Sequence, residues 1–146
     1  MIRSIIVAAA LAVSVQAAVP QNLDVIKERK QTMKDNGAAA GATAKMLKGD
    51  APFDLATVQK SLNTFISASK KMPSLFPDDS KTGGDTRALP AVWADKADVD
   101  ARFAKFGQDA TDALAAIKDE ASFKASFPPI FKDCGGCHEK YRAAQN

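Results

Sequence analysis

Apolar residues recur every three or four positions through most of the chain, and this spacing predicts amphipathic helices. The first such stretch covers residues 22–47 and ends before a turn at residues 49–52, which contains a glycine and a proline. The apolar face of this predicted helix, here called its seam, also includes Lys30, whose long stem can reach the edge of an apolar face. The other positions of the seam are Leu23, Ile26, Met33, Gly37, Ala40, Ala44 and Leu47.

Three more helices are predicted by the same spacing. The second begins after Asp54, a good N-cap residue, and stops at Pro73, which lacks the amide hydrogen that a helix interior needs. The third runs from a cap at Asp95 to about Lys118, and the fourth follows a turn near Asp119. The fourth helix carries five residues at helical spacing, namely Phe127, Phe131, Cys134, His138 and Tyr141.

Residues 74–92 form a long irregular segment between the second and third helices, with Pro77, Gly83, Gly84 and Pro90. Such a loop is longer than usual for a compact domain, and its apolar side chains favour packing over the core. No hairpin signal interrupts the helical pattern. The sequence therefore predicts an all-α fold, an antiparallel four-helix bundle.

The N-terminus has the features of a secretory signal peptide. Arg3 precedes an apolar run at residues 5–15, and small residues favour cleavage after Ala17. The run is shorter than the roughly 20 apolar residues of a membrane-spanning helix, so no stable membrane insertion is expected. Residues 1–17 are predicted to be the signal peptide and residues 18–146 the mature domain.

The charge balance excludes some partners. The chain has 20 lysines and arginines against 17 aspartates and glutamates, and the lysines form no basic block. This pattern gives no case for nucleic-acid binding. Gly37 and Gly41 in the alanine-rich first helix favour close approach by a helix, a cofactor or a second subunit, and so permit a homodimer. Good helix propensity of alanine explains the same composition equally well.

The sequence Cys-Gly-Gly-Cys-His at residues 134–138 uses both cysteines and the one histidine of the chain. This pattern is typical of covalent attachment of a c-type haem. Cys134 and Cys137 would form thioether bonds and His138 would bind the iron. On a helix, Cys134 and His138 share one face. Such attachment takes place outside the bacterial cytoplasm, and the predicted signal peptide therefore agrees with a periplasmic location.

Other uses of these three residues explain less. A structural zinc site needs four ligands, and the chain offers three cysteine and histidine side chains. A thioredoxin-like cysteine pair lies near an alternating strand and helix pattern, which is absent from this sequence. A disulfide across four residues would leave the adjacent histidine without a role.

With these features the chain resembles the class II c-type cytochromes, the cytochrome c-prime family, over its whole mature length. The resemblance is carried by the haem motif near the C-terminus with Tyr141 and Arg142 behind it, and by residues 49–54 and 92–93. Residues 33–37 are most similar to the low-spin cytochrome c-556 branch. The resemblance implies a four-helix bundle, often dimeric, with one covalent haem c and its iron per chain.

The c-556 resemblance implies a one-electron carrier for redox protein partners, with His138 and Met33 as the two axial ligands of a six-coordinate iron. The c-prime resemblance implies a five-coordinate iron that binds nitric oxide or carbon monoxide, with Met33 as a wall of the pocket. By spacing alone, a methionine in an apolar stripe is more often core filler. Met46 and Met72 are weaker candidates because they lie near helix ends.

Arg142 lies four residues after His138 and is a candidate contact for a haem propionate. A solvated arginine at a helix end, favoured by the helix dipole, explains its position equally well. No second histidine is present for acid–base chemistry, and the sequence has no substrate-site motif. An enzymatic activity is therefore not expected.

Overall fold

The computed structural model describes residues 21–144, and four long helices dominate them. These are α1 (Leu23–Lys48), α2 (Leu55–Lys71), α4 (Lys96–Ala116) and α6 (Pro128–Tyr141), with the short helices α3 (Ala91–Ala94) and α5 (Glu120–Ser126) between them. They form an antiparallel four-helix bundle, which confirms the predicted fold. Within the described residues, no helix has the length and apolar character to cross a membrane. The predicted signal peptide lies outside these residues.

Local capping explains where the long helices begin and end. The Asn22 side chain accepts a hydrogen bond from the Val25 amide at the start of α1, and Gly49 closes that helix with φ of 79°. Asp54 caps α2, as predicted. Asp95 stands at the N-cap position of α4 but makes no capping hydrogen bond, and its carboxylate instead accepts from Lys140 on α6.

The segment predicted to be irregular contains short helical turns. Met72–Leu75 and Asp78–Ser80 are 3-10 helices, and α3 begins at Ala91, near the end of the same segment. Trp93 in α3 donates from its indole nitrogen to the carbonyls of Phe76 and Pro77, at 3.0 and 3.1 Å. These bonds fold residues 72–90, here called the crossover, against the bundle.

The region of the fourth predicted helix contains two helices. A reciprocal capping box between Asp119 and Ser122 starts α5, and Pro128 occupies the first turn of α6. A proline has no amide hydrogen to bond to the preceding turn, so the chain starts a new helix there.

The bundle core consists of two apolar clusters. Helix α2 packs most extensively on α4, and a Cβ at Gly107 would collide with Ser69, so these helices approach closely. The closed-end cluster comprises Met46, Val58, Leu62, Phe65, Phe106, Ala110, Ala113, Ile117, Phe123, Phe127 and Ile130. The cleft-end cluster comprises Met72, Leu75, Val92, Val99, Phe103 and Tyr141.

Candidate haem site

A cleft of about 470 Å³ opens beside the cleft-end cluster. Its volume falls within the roughly 300–1,000 Å³ of sites for small molecules and cofactors. Helices α1, α4 and α6 and the crossover all contribute to its walls. The lining combines an apolar interior, including Met72, Val99 and Phe103, with several cationic side chains.

Helix α6 carries the predicted attachment residues, and two of them line the cleft. Cys137 and His138 line the cleft, while Cys134, one turn earlier, packs against the closed-end cluster. All three are half-buried, and both cysteines are free thiols. The structure therefore places the motif at the boundary between the two clusters, with Cys137 and His138 at the cleft.

Burial controls the protonation of these groups. It raises the pKa of the Cys134 thiol to about 11, and the neighbouring Asp133 adds to this effect. Burial also raises the pKa of Cys137 and lowers the pKa of His138, to which the positive charges of Arg142 and Arg87 contribute. His138 is therefore neutral at neutral pH, and neutral imidazole is the form that binds metals.

Two methionines share the cleft with His138. Met33 on α1 is half-buried and packs against the cleft-end cluster. Met72, ranked lower in the sequence analysis because it lies near a helix end, is 1% exposed and lines the same cleft. It reaches this position because the chain continues past α2 as a 3-10 turn. Met46 belongs to the closed-end cluster instead.

Arg29 is a residue of this site that was not among the predicted haem or iron contacts. Its guanidinium is 5% exposed and donates to the Leu75 carbonyl at 2.8 Å, to Ser80 at 3.1 and 3.2 Å, and to the Thr86 hydroxyl at 2.8 Å. It also lies 4.7 Å from the centre of the Phe76 ring. Arg29 thus ties α1 to the crossover. The sequence signal that points to Arg29 is its position four residues before Met33, on the same face of the helix.

Two arginines stand where the C-terminal segment meets the crossover. Arg142 is exposed and lines the cleft, and its backbone forms an isolated bridge with Ala88. Arg87 also lines the cleft and donates to the Ala143 carbonyl at 3.1 and 2.6 Å. Both cations are placed to contact acidic groups of a bound molecule, and the propionate contact of Arg142 remains a prediction.

The end of α6 is held to α4 by a polar cluster. The hydroxyl of Tyr141, which is 5% exposed, donates to Asp98 at 2.5 Å, and Arg102 donates to the same carboxylate at 2.7 Å. Lys140 bridges Asp95 and Asp98 at 2.8 and 3.2 Å. These bonds orient the helix that carries His138.

Comparison with known proteins gives one consistent result. Residues 24–142 match the family model described as Cytochrome C'. The chain is 52% identical to cytochrome c' of Rhodopseudomonas palustris over 84% of both proteins, and 36% identical to cytochrome c-556 of the same organism over 97% of both. A solved structure of cytochrome c' from Rhodopseudomonas palustris superposes with a TM-score of 0.81, covering 84% of this chain and 98% of that one.

A helical bundle with a Cys-x-x-Cys-His motif on its last helix defines a class II c-type cytochrome, and this chain belongs to the cytochrome c' family. The resemblance noted from the sequence is confirmed, and the cofactor is a covalently bound haem c with its iron. Because the relatives carry both the c' and the c-556 name, the family alone does not assign the coordination of the iron.

The residues present fit this group. Cys137 and His138 line the cleft, Cys134 lies one turn earlier on the same helix, and both cysteines are free thiols. The interior of the cleft is apolar, and its rim carries guanidinium groups. This combination matches a flat apolar ring system with acidic substituents.

Proposed function

We propose that this chain is an exported, periplasmic one-electron carrier. In this proposal, Cys134 and Cys137 would hold the haem through thioether bonds, and His138 and Met33 would be the two protein ligands of its iron. Haem supplies the one-electron iron couple when bound. The observation that carries the proposal is that an imidazole on α6 and a thioether on α1 line one apolar cleft.

Each part of the cleft has a task in such a carrier. Met72, Val99 and Phe103 exclude water from the interior, because they are almost fully buried. With both ligands supplied by the protein, His138 and Met33 would move little between the oxidation states, which limits rearrangement during electron transfer. Ligation by a methionine and a histidine is also a recognised means of raising the haem potential.

The ligand assignment is tested by a matched pair of substitutions in the holoprotein. Leucine resembles methionine in volume but cannot bind iron, so Met33→Leu removes the ligand with little loss of packing. We expect Met33→Leu to convert a low-spin ferric spectrum with a methionine–iron charge-transfer band into a high-spin one, with carbon monoxide binding after reduction. Met72→Leu, in the same cleft, should leave the spectrum unchanged.

Two outcomes would contradict this assignment. If Met72→Leu rather than Met33→Leu changes the spectrum, Met72 is the ligand. If the unmodified holoprotein is already high-spin and both variants match it, neither methionine binds iron and the carrier proposal fails.

A five-coordinate protein that binds nitric oxide or carbon monoxide is the second candidate. It is favoured by the 52% identity to a protein named cytochrome c' and by the half-buried state of Met33, which leaves this side chain free to act as a pocket wall. Rapid carbon monoxide binding by the unmodified ferrous protein would support this function over electron transfer.

A further inference from the structure

Cations without acidic partners collect at the mouth of the cleft. Lys30, Lys34, Arg87 and Arg142 line the cleft, and Lys27 lies in an adjoining hollow that shares Lys30 and Lys34. Within residues 21–144, none of these five side chains forms an ion pair with a carboxylate. We call the five residues the cationic rim.

The surface of α4 shows the opposite arrangement. Its three cations, Lys96, Arg102 and Lys105, each pair with a carboxylate in the part of the chain that the structure describes. Some lysines elsewhere are paired, such as Lys71 with Glu28, and others, such as Lys60 and Lys118, form no ion pair within the described residues but do not line the cleft. The rim is therefore a local excess of positive charge, although the chain as a whole carries only +3.

The rim is held in place by the fold. Lys27, Lys30 and Lys34 are three and four residues apart and share one face of α1. Lys30 donates to the Gly84 carbonyl at 2.9 Å, and Arg87 is fixed by its bonds to Ala143. The cations consequently point to one region of the surface instead of being distributed around the bundle.

An apolar contact lies beside these charges. Leu23 is 51% exposed, and it lines the same hollow as Lys27, Lys30 and Lys34. An apolar centre with a charged or polar rim is the usual anatomy of a protein interface.

We propose that the cationic rim docks the acidic face of a redox protein that exchanges electrons with this chain. The inference rests on the carrier function proposed above and names the kind of partner. Asp85 and the two propionates of a haem balance only three of the five charges. Complementary charge raises association rates by about 10- to 1,000-fold, which suits a brief electron-transfer complex.

The test uses the reduced holoprotein and two oxidants of opposite charge, hexacyanoferrate(III) and tris(phenanthroline)cobalt(III). Lys27→Glu/Lys34→Glu reverses two exposed rim charges, and Lys60→Glu/Lys118→Glu makes the same change in net charge at exposed, unpaired lysines away from the cleft. At low ionic strength we expect the rim variant to slow oxidation by the anion about three- to tenfold and to accelerate oxidation by the cation. The control variant should change either rate by less than about twofold, and about 1 M salt should abolish the differences.

Equal effects of the two variants would show that net charge, not the rim, controls the rate, and would overturn the proposal.

The kind of partner is tested with poly-glutamate and with phosphatidylglycerol vesicles. Poly-glutamate should shift amide resonances of residues 23–34 and 84–87 in the holoprotein, and the rim variant should lose these shifts. Binding to the vesicles without binding to poly-glutamate would indicate a membrane surface and would also overturn the proposal.

Failure of the carrier function would be recognised separately. A high-spin holoprotein that binds carbon monoxide would contradict the proposed carrier function. Even then, both metal complexes could still oxidise the reduced iron. The charge dependence of the two rates can therefore be measured whatever the coordination of the iron.

Discussion

The closed-end cluster is filled by side chains, whereas the cleft-end cluster borders a space of about 470 Å³. At the closed end, Phe127 lies between three other rings, with centroid distances of 5.1 Å to Phe123, 5.3 Å to Phe131 and 6.3 Å to Phe65. At the cleft end, Met33 and Phe76 are only half-buried and a buried guanidinium replaces part of the apolar filling.

This difference shows how one small bundle separates stability from chemistry. The closed end buries aromatic side chains completely, and burial of this kind supplies most of the folding free energy. The cleft end leaves room for a cofactor and surrounds it with polar anchors. The two cysteines join the regions, because Cys134 packs on the closed-end cluster and Cys137 on the cleft-end cluster.

The largest effect is expected from Phe127→Ala, because Phe127 is 0% exposed at the centre of the closed end. Loss of a buried phenylalanine leaves a cavity and should lower the free energy of unfolding by about 3–5 kcal/mol. Guanidinium denaturation of the holoprotein measures this change. The haem spectrum of the folded protein should stay the same, since the cleft is untouched.

Phe76→Ala is the matched control at the cleft end. Phe76 is half-buried, so its loss should cost clearly less in unfolding free energy and should disturb the spectrum more. The proposed division between the two ends would be wrong if the two alanine variants had equal stability.

A smaller loss is expected from Arg29→Met. Methionine keeps some of the volume but leaves the carbonyls of Leu75 and Ser80 without their donor, whereas the Thr86 hydroxyl keeps its hydrogen bond from the Ala88 amide. Each unsatisfied polar group costs about 1–3 kcal/mol, and relief from burying a charge offsets part of this, so we expect a net loss of about 1–3 kcal/mol.

Hydrogen exchange locates the effect of Arg29→Met. Amides of residues 75–86 should exchange faster, and those of the closed end should not, because Arg29 ties only the crossover to α1. Arg29→Lys should give an intermediate result, since one ammonium group cannot reach all these acceptors. Uniformly faster exchange would mean that Arg29 supports the whole bundle and not the cleft end alone.

The smallest effect concerns the acid side of the stability profile. Hydrogen bonds from Tyr141 and then Arg102 hold the pKa of Asp98 well below its usual range. A carboxyl with a lowered folded-state pKa stabilises the protein above its unfolded-state pKa of about 3.9, and this contribution is lost as the pH falls further. Asp98→Asn should therefore lower the melting temperature at pH 7, and the difference from the unmodified protein should shrink towards pH 3.

Asp112→Asn is the control for this comparison, because Asp112 is exposed on the same helix and its carboxylate accepts a hydrogen bond from the nearby Gln108. It should change the melting temperature little at either pH. A constant difference between Asp98→Asn and the unmodified protein from pH 7 to pH 3 would show that the Asp98 carboxylate does not carry the effect.

Much of the fold could be predicted because its causes are local. The helical spacing of apolar residues and the caps at Asp54 and Gly49 depend on neighbours within a few positions. The Cys-x-x-Cys-His motif is local in the same sense, so the cofactor class and one wall of its site were predicted before any packing was known.

The remainder depends on contacts between residues distant in the chain. Asp95 was predicted to cap α4, but its carboxylate instead accepts a hydrogen bond from Lys140, 45 positions away. Met72 was ranked low as a helix-end residue, yet a 3-10 turn carries it into the cleft. Rules based on neighbouring residues cannot distinguish a helix cap from a contact with a distant helix, because the distant residue lies outside the local sequence.

The sequence alone determined that this protein is a helical bundle carrying a c-type haem near its C-terminus, since periodicity, caps and a five-residue motif encode that information within single helices. Only the tertiary structure decided which methionines share the cleft with His138, that Arg29 is buried, and that unpaired cations gather at the mouth. These features arise where helices meet, and the free energy of such contacts depends on the packing of the entire bundle.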